Sequence, residues 1–287
     1  MIWLASFPRS GNTFFRNVLY DVYGIESSTY HHETAYKVDE DYDKYKVVKT
    51  HLLPHQLKPN DPSIKSVYII RDGRDSLVSI AHHRRDMVEP YSDYETNLIE
   101  AIVSPGGNNF GGWSENVRQW SERADIVIRF KDLIADPIKE IEKLRAIMEL
   151  PEPKIENLKT FKQLKNSIPK YGSARKFFDT EDKQQTHAAK SFRKGKVGGY
   201  KEEMSPEIQK LFWLVHGDTM KSFEYGEKSD FQNFEYLKKQ NFKILLEAKK
   251  LYGKGNDGVK RYFVELLKHM YLICLLYTSD AADVYSV

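Results

Sequence analysis

Cysteine is nearly missing from this 287-residue chain: Cys274 stands alone, which excludes an internal disulfide and a cysteine-rich metal site. A reducing, cytoplasmic setting is therefore expected. Long apolar runs are missing too, since no stretch approaches the ~20 residues that a membrane-spanning helix needs. The apolar start, Met1 to Ala5, is too short for the apolar part of a secretory signal and runs straight into a turn, so it reads as a strand. Charge of one sign is scarce. With 44 basic and 41 acidic residues the formal net charge is +3, so the field of a nucleic-acid coat is lacking and no nucleic-acid partner is expected. Any anion site must come from local placement. The sequence carries neither an H-E-x-x-H motif nor clustered carboxylates, and no metal is expected. No internal repeat is visible.

What is there is a globular composition, 40% hydrophobic, enough for one large α/β domain or two small ones. Four short apolar or β-branched runs read as strands: Ile2–Ser6, Val47–His51, Ser66–Ile70 and Asp125–Phe130. Helical spacing follows the first at Phe14–Tyr20, the third at Ser76–His83 and the fourth at Ile138–Glu149, where Pro137 suits a first turn. Strands alternating with helices predict a mostly parallel sheet flanked by helices on both faces, a three-layer arrangement. Ser104–Gly112 is turn-rich and expected to be a surface loop, Phe161–Lys196 is expected to form loops and short helices, and Ser205-Pro206-Glu207 starts a further helix. The expected organisation is one domain over residues 1–226 and a C-terminal helical appendage over 227–273. Residues 274–287 contain a stretch, Cys274–Asp283, that looks like a translated frame of a sequencing adaptor; it is set apart from fold reasoning.

Three segments carry the chemistry. Phe7-Pro8-Arg9-Ser10-Gly11-Asn12-Thr13 lies at a strand-to-helix junction, where a glycine lets the backbone approach an anion and the helix N-terminus points at it. It is not a Walker A motif, which needs a second glycine followed by lysine. Arg71 ends a strand and Ser79 falls near the start of the next helix, so a phosphate above that helix could take a guanidinium fork and a hydroxyl together. Ser191-Phe192-Arg193-Lys194-Gly195-Lys196 begins a basic, glycine-rich, anion-seeking loop. Taken singly, these are also readable as a tight turn, a solvated Arg with a helix Ser, and a basic surface loop.

In their shared order the three resemble the cytosolic-type sulfotransferase family, whose donor is 3′-phosphoadenosine 5′-phosphosulfate (PAPS). The family's Y-P-K-S-G-T-T-W corresponds to Phe7–Phe14, its R-x₇-S to Arg71 and Ser79, and its R-K-G to Arg193-Lys194-Gly195. Lys49-Thr50-His51 resembles the family's K-T-H, Phe130-Lys131-Asp132 its Y-E-D, and Thr160–Leu164 its S-F-x-x-M stretch near the adenine. The resemblance covers Ile2 to about Gly226. It implies a P-loop-like fold, PAPS as co-substrate, and sulfuryl transfer to a hydroxyl or amine of a small-molecule or carbohydrate acceptor.

The implied roles follow residue by residue. His51 would be the base, since a neutral imidazole accepts a proton near neutral pH; Lys49 would steady the transferring sulfuryl oxygens. Backbone N–H groups from Ser10 through Gly11 and Asn12 to Thr13, with the Thr13 hydroxyl, would hold the 5′-phosphate. Arg71, Ser79, Arg193, Lys194 and Gly195 would read the 3′-phosphate. Phe14 could stack on adenine, and Phe130, Phe161 and Phe192 would complete the nucleotide site. Arg9 stands where cytosolic relatives usually have lysine; it can stabilise developing charge but cannot serve as proton donor. His82-His83-Arg84-Arg85 and the Ser104–Gly112 loop could line an acceptor site. The family's dimer motif K-x-x-x-T-V-x-x-x-E would fall at Lys201–Lys210, where Ser205, Pro206 and Lys210 depart from it, so that pairing mode and the oligomeric state stay open. Two rival readings differ in testable ways. A P-loop-type nucleotide or small-molecule kinase should carry a loop lysine and a carboxylate for Mg²⁺, and a non-catalytic nucleotide-binding module could dispense with His51.

Overall fold

A computed structural model describes residues 1–30, 42–103, 110–175 and 177–238. Among them, five strands form one sheet: β1 (Ile2–Ser6), β2 (Ser27–Tyr30), β3 (Val47–Thr50), β4 (Ser66–Ile70) and β5 (Ile126–Arg129). Their order is β2-β3-β1-β4-β5 and every neighbouring pair is parallel, with Leu4 of β1 opposite Lys49 on one side and Val67 on the other. Helices follow in the order α1 (Asn12–Tyr23), α2 (Gly73–His83), α3 (Tyr94–Val103), α4 (Gly112–Arg123), α5 (Phe130–Ala135), α6 (Pro137–Glu142), α7 (Phe161–Lys165), α8 (Glu181–Ser191), α9 (Pro206–Ser222) and α10 (Lys228–Lys238).

The central strands are apolar on both faces because both are covered. Side chains alternate across a strand, so Ile2 and Leu4 of β1 join Val47, Val67 and Ile69 under the α1 and α6 side, with Phe15, Val18 and Leu19. Trp3 and Ala5 join Val48, Tyr68 and Ile70 on the opposite face, against Leu77, Ile99, Trp113, Trp120 and Phe212 from α2, α3, α4 and α9. That is the three-layer α/β arrangement the alternation of strands and helices predicts.

Several local expectations need correction. The edge strand β2, Ser-Ser-Thr-Tyr, was not expected, since its hydroxyl-rich letters carry no apolar run; it is held by parallel pairing to β3. The fourth strand ends at Arg129, and Phe130 opens α5 instead of closing a strand. The expected helix Ile138–Glu149 stops at Glu142 and tightens into a 3₁₀ turn, Lys143–Ala146, before Pro151. The helix expected from Ser76 begins at Gly73, where the Asp72 carboxylate accepts the Arg74 N–H at 2.9 Å. Ser205 likewise caps α9 by accepting the Ile208 N–H, with Pro206 in the first turn, so the Ser-Pro pair that departs from the dimer motif works locally as a helix start. Ser104–Asn109 of the expected glycine-rich loop lies outside the described residues.

Past Gly226, α10 packs on α9. Phe234 is buried against Trp213, with ring centroids 6.0 Å apart, and a Cβ at Gly217 would overlap the Phe234 ring. Residues 239–287 are outside the described residues. Replacing Phe234 with alanine should cost on the order of 3 kcal/mol and lower the melting temperature by ~5–10 °C. A thermal melt unchanged within error would mean that α10 adds nothing to the fold.

Candidate nucleotide and acceptor cleft

In a parallel sheet all strands end on the same edge, and the loops leaving that edge meet in a crevice. Here those loops are Phe7–Gly11 after β1, His51 after β3, Arg71 after β4 and Phe130 after β5. They open on a cleft of about 1130 Å³, lined also by Asn12, Thr13, Phe14, Lys49, Ser79, Phe161, Phe192, Arg193, Lys194 and Gly195. Every site residue expected from the sequence borders it except Ser10, which is buried with its Oγ 3.3 Å from Ser76 Oγ.

The loop after β1 is shaped by its backbone. Arg9 and Gly11 both hold positive φ, 65° and 114°, and a Cβ at Gly11 would come within 2.6 Å of the Phe130 ring. Gly11 caps α1, so the unpaired N–H groups of its first turn face the cleft. Asn12 donates to Ser6 Oγ at 2.8 Å and ties the turn to the strand it leaves.

Arginines knit the segments together. Arg9 donates through Nε to Ser79 Oγ at 3.1 Å and through Nη2 to the Ser191 carbonyl at 2.8 Å. Arg71 donates to the Arg9 carbonyl at 2.8 Å and the Lys196 carbonyl at 3.1 Å, and stacks its guanidinium 4.4 Å above the Phe130 ring. The three segments that the sequence singles out are therefore in direct contact. Ser79 sits in the second turn of α2, not near its start, and its hydroxyl meets Arg9 rather than Arg71.

Burial of these cations weakens their hold on protons. Arg9 falls to about 10 through burial and the neighbouring Arg71 and Arg193; it stays charged at neutral pH. Lys49 is pushed well below the ordinary lysine range by burial, then by Arg16 and Arg9. Burial lowers Arg71 as well, with Asp75 opposing. The Nε atoms of Arg71 and Arg193 are buried and find no hydrogen-bond partner among the described residues. Buried guanidinium N–H groups without acceptors are rare, and an oxyanion in the cleft would supply acceptors for them.

His51 is fixed differently. Its Nδ1 lies 2.7 Å from the Ser6 carbonyl. A carbonyl only accepts, so Nδ1 carries the proton and Nε2 is the basic nitrogen. The ring sits edge-on to Phe110, centroids 5.6 Å apart.

The aromatic residues form a chain along the cleft: Phe14 to Phe161, 5.8 Å between centroids, and Phe161 to Phe192, 5.1 Å. Thr160 caps α7 by accepting the Gln163 N–H, which sets Phe161 at the helix start. A Cβ at Gly195 would press within 2.7 Å of the Phe161 ring, so this glycine is required for the loop to pass. Phe14 and Phe192 are nearly covered and serve the core as well as the cleft.

Sequence reasoning missed Asp75, which accepts the Gly198 and Tyr200 N–H groups at 2.8 and 3.0 Å and anchors the end of the basic loop to α2. Its signal was the i,i+4 spacing from Arg71. It also missed Arg16, which lines the cleft, donates to Ser27 and Thr29 hydroxyls and lies 3.9 Å over Tyr171. Of the four residues expected at an acceptor site, His83 and Arg84 line the cleft, whereas His82 turns to Glu203 and Arg85 to Asp86. His83 is held down to about 4 by burial and Arg9, so it is neutral. Among the described residues no His, Cys, Asp and Glu group is arranged to hold a metal ion, and no helix is long and apolar enough to cross a membrane.

A family model described as Sulfotransferase domain matches residues 1–224. Cytosolic sulfotransferase 1 of Danio rerio is 25% identical over 251 residues, covering 77% of this chain and 83% of that protein. Flavonol 3-sulfotransferase of Flaveria bidentis is 26% identical over 258 residues, 73% of this chain and 80% of its own length. The fold is similar to that of a mouse sulfotransferase crystallised with PAP, adenosine 3′,5′-bisphosphate: TM-score 0.57 at 19% identity, over 82% of this chain and 87% of that one. With a family match spanning most of its length, the chain belongs to the sulfotransferase-domain family and is a PAPS-dependent sulfotransferase.

Proposed function

We propose that the enzyme moves the sulfuryl group of PAPS in line onto a hydroxyl or amine of a small-molecule or carbohydrate acceptor, with His51 as the base. The observation that carries this reading is the 2.7 Å contact from His51 Nδ1 to the Ser6 carbonyl, which makes Nε2 the basic nitrogen of a ring that lines the cleft together with Arg9 and Lys49. The acceptor loses its proton to Nε2 as its oxygen or nitrogen bonds to sulfur. The bond from sulfur to the 5′-phosphate oxygen breaks, and PAP leaves. Charge grows on that oxygen, where Arg9, still protonated, and the N-terminal N–H groups of α1 stabilise it. Lys49, whose hold on its proton is lowered by burial and then by Arg16 and Arg9, lies where it can steady the sulfuryl oxygens, whose negative charge offsets that lowering. The orphan Nε donors of Arg71 and Arg193 suit the 3′-phosphate, and the Phe14, Phe161 and Phe192 chain suits adenine, a stack worth ~1–3 kcal/mol.

Thermal melts with PAPS, PAP and ATP test the donor assignment by mass action. PAPS and PAP at 100 times their dissociation constants should each stabilise by ~2.7 kcal/mol, and ATP, with no 3′-phosphate, should not. A shift with ATP alone would point to a kinase and overturn the reading. An acceptor screen with labelled PAPS then identifies the second substrate.

A further inference from the structure

The basic loop does not hold its own cations in place; an acidic residue behind it does. Glu203 accepts Arg193 Nη1 on both oxygens, at 3.1 and 2.8 Å, and Lys194 Nζ at 2.8 Å. Its third partner is His82 Nε2, at 2.5 Å. Arg85 donates to His82 Nδ1 at 3.0 Å, so Nδ1 is the acceptor and the proton sits on Nε2, facing the carboxylate. The ring is also packed on Tyr94, centroids 4.6 Å apart, and the Tyr94 hydroxyl donates to the Glu203 carbonyl at 2.9 Å. His82 comes one turn after Ser79 on α2. Glu203 thus ties the loop to the helix that carries the other half of the 3′-phosphate site.

A carboxylate so close could compete with the nucleotide, and the guanidinium geometry decides against that. Glu203 takes Nη1, whereas Nε of Arg193 is buried with no partner among the described residues. The two anions would use different N–H groups of one rigid fork. We infer that Glu203, clamped by His82, is a positioning residue that turns Arg193 and Lys194 toward the 3′-phosphate and so gives the enzyme its preference for 3′-phosphorylated donors. The inference rests on the donor reading proposed above. Gly195, at φ 60°, makes such a clamp necessary, because a loop with glycine at its turn and two long cations beside it has many other arrangements. Burial would raise Glu203, but the hydrogen bonds from Arg193, Lys194 and His82 outweigh it and hold the carboxyl down to about 2, so it is ionised throughout the working range.

Calorimetric titration of PAP and adenosine 5′-monophosphate into the wild type, Glu203→Ala, Glu203→Gln and His82→Gln tests it. Glu203→Ala should weaken PAP at least tenfold and the monophosphate less than twofold. Glu203→Gln, which keeps the shape and one acceptor oxygen, should recover part of the PAP affinity, and His82→Gln should lose less than Glu203→Ala. Equal losses for both nucleotides would mean that Glu203 only supports the fold; tighter PAP binding would mean that it competes with the phosphate. Either overturns the inference. If the alanine variant does not fold, Glu203→Gln decides alone: a PAP-selective loss of threefold or more supports positioning, and any other result refutes it. A wild type that binds both nucleotides equally would instead refute 3′-phosphate recognition itself, and the inference with it.

Discussion

Turnover should fall by ~10²–10⁴-fold when His51 is replaced by alanine, with PAP affinity unchanged within about twofold. The size follows from what general-base catalysis contributes when a positioned imidazole takes a proton in the transition state. The selectivity follows from placement. His51 leaves the sheet from β3 and is oriented by the Ser6 carbonyl, while the donors proposed for the phosphates come from the loops after β1 and β4 and from the basic loop. Labelled-PAPS turnover with the identified acceptor, read beside calorimetry with PAP, separates the two effects. His51→Gln sharpens the test, since glutamine can still donate to the Ser6 carbonyl yet cannot take the proton; it should be as inactive as alanine. Activity within tenfold of wild type in both variants would remove His51 from the chemistry.

The parts of this protein that were legible in the sequence are those where local chemistry and global fold agree. Val47-Val48, Val67–Ile70 and Ile126–Ile128 are β-branched but for Tyr68, and they form strands of the sheet. Gly11 was legible because a glycine at a strand-to-helix junction lets the backbone approach an anion; that a Cβ there would also meet the Phe130 ring is visible only in the fold. What stayed hidden was set by partners remote in sequence. Ser27–Tyr30 is a strand because β3 pairs with it, not because Ser-Ser-Thr-Tyr asks to be one. Ser10 fits the motif's letters, yet tertiary packing turns its hydroxyl to Ser76. Asp75 and Glu203 hold no motif position singled out in the sequence; their work appears only when Gly198 and Tyr200 in one case, and Arg193, Lys194 and His82 in the other, are brought to them.

Arg71→Ala is expected to weaken PAP by ~10²–10³-fold. Hydrogen bonds to charged groups are worth ~1.5–3 kcal/mol each, and losing two near the lower end of that range amounts to ~3–4 kcal/mol, or two to three orders of magnitude in the dissociation constant. A second loss comes through the protein. Arg71 bonds the Arg9 carbonyl and the Lys196 carbonyl at once, so it fixes the phosphate loop against the basic loop before any nucleotide arrives. Trp113 Nε1 holds the Arg71 carbonyl at 3.1 Å, which keeps the backbone in place when the side chain is cut and confines the damage to the site. Arg71→Lys should recover less than tenfold, because an ammonium keeps the charge but cannot span both carbonyls and still offer the buried Nε donor. Adenosine 5′-monophosphate discriminates between the two contributions. If Arg71 reads the 3′-phosphate, this ligand loses far less than PAP; if Arg71 only staples the loops, both lose alike, and the orphan Nε atoms of Arg71 and Arg193 must then await some other acceptor.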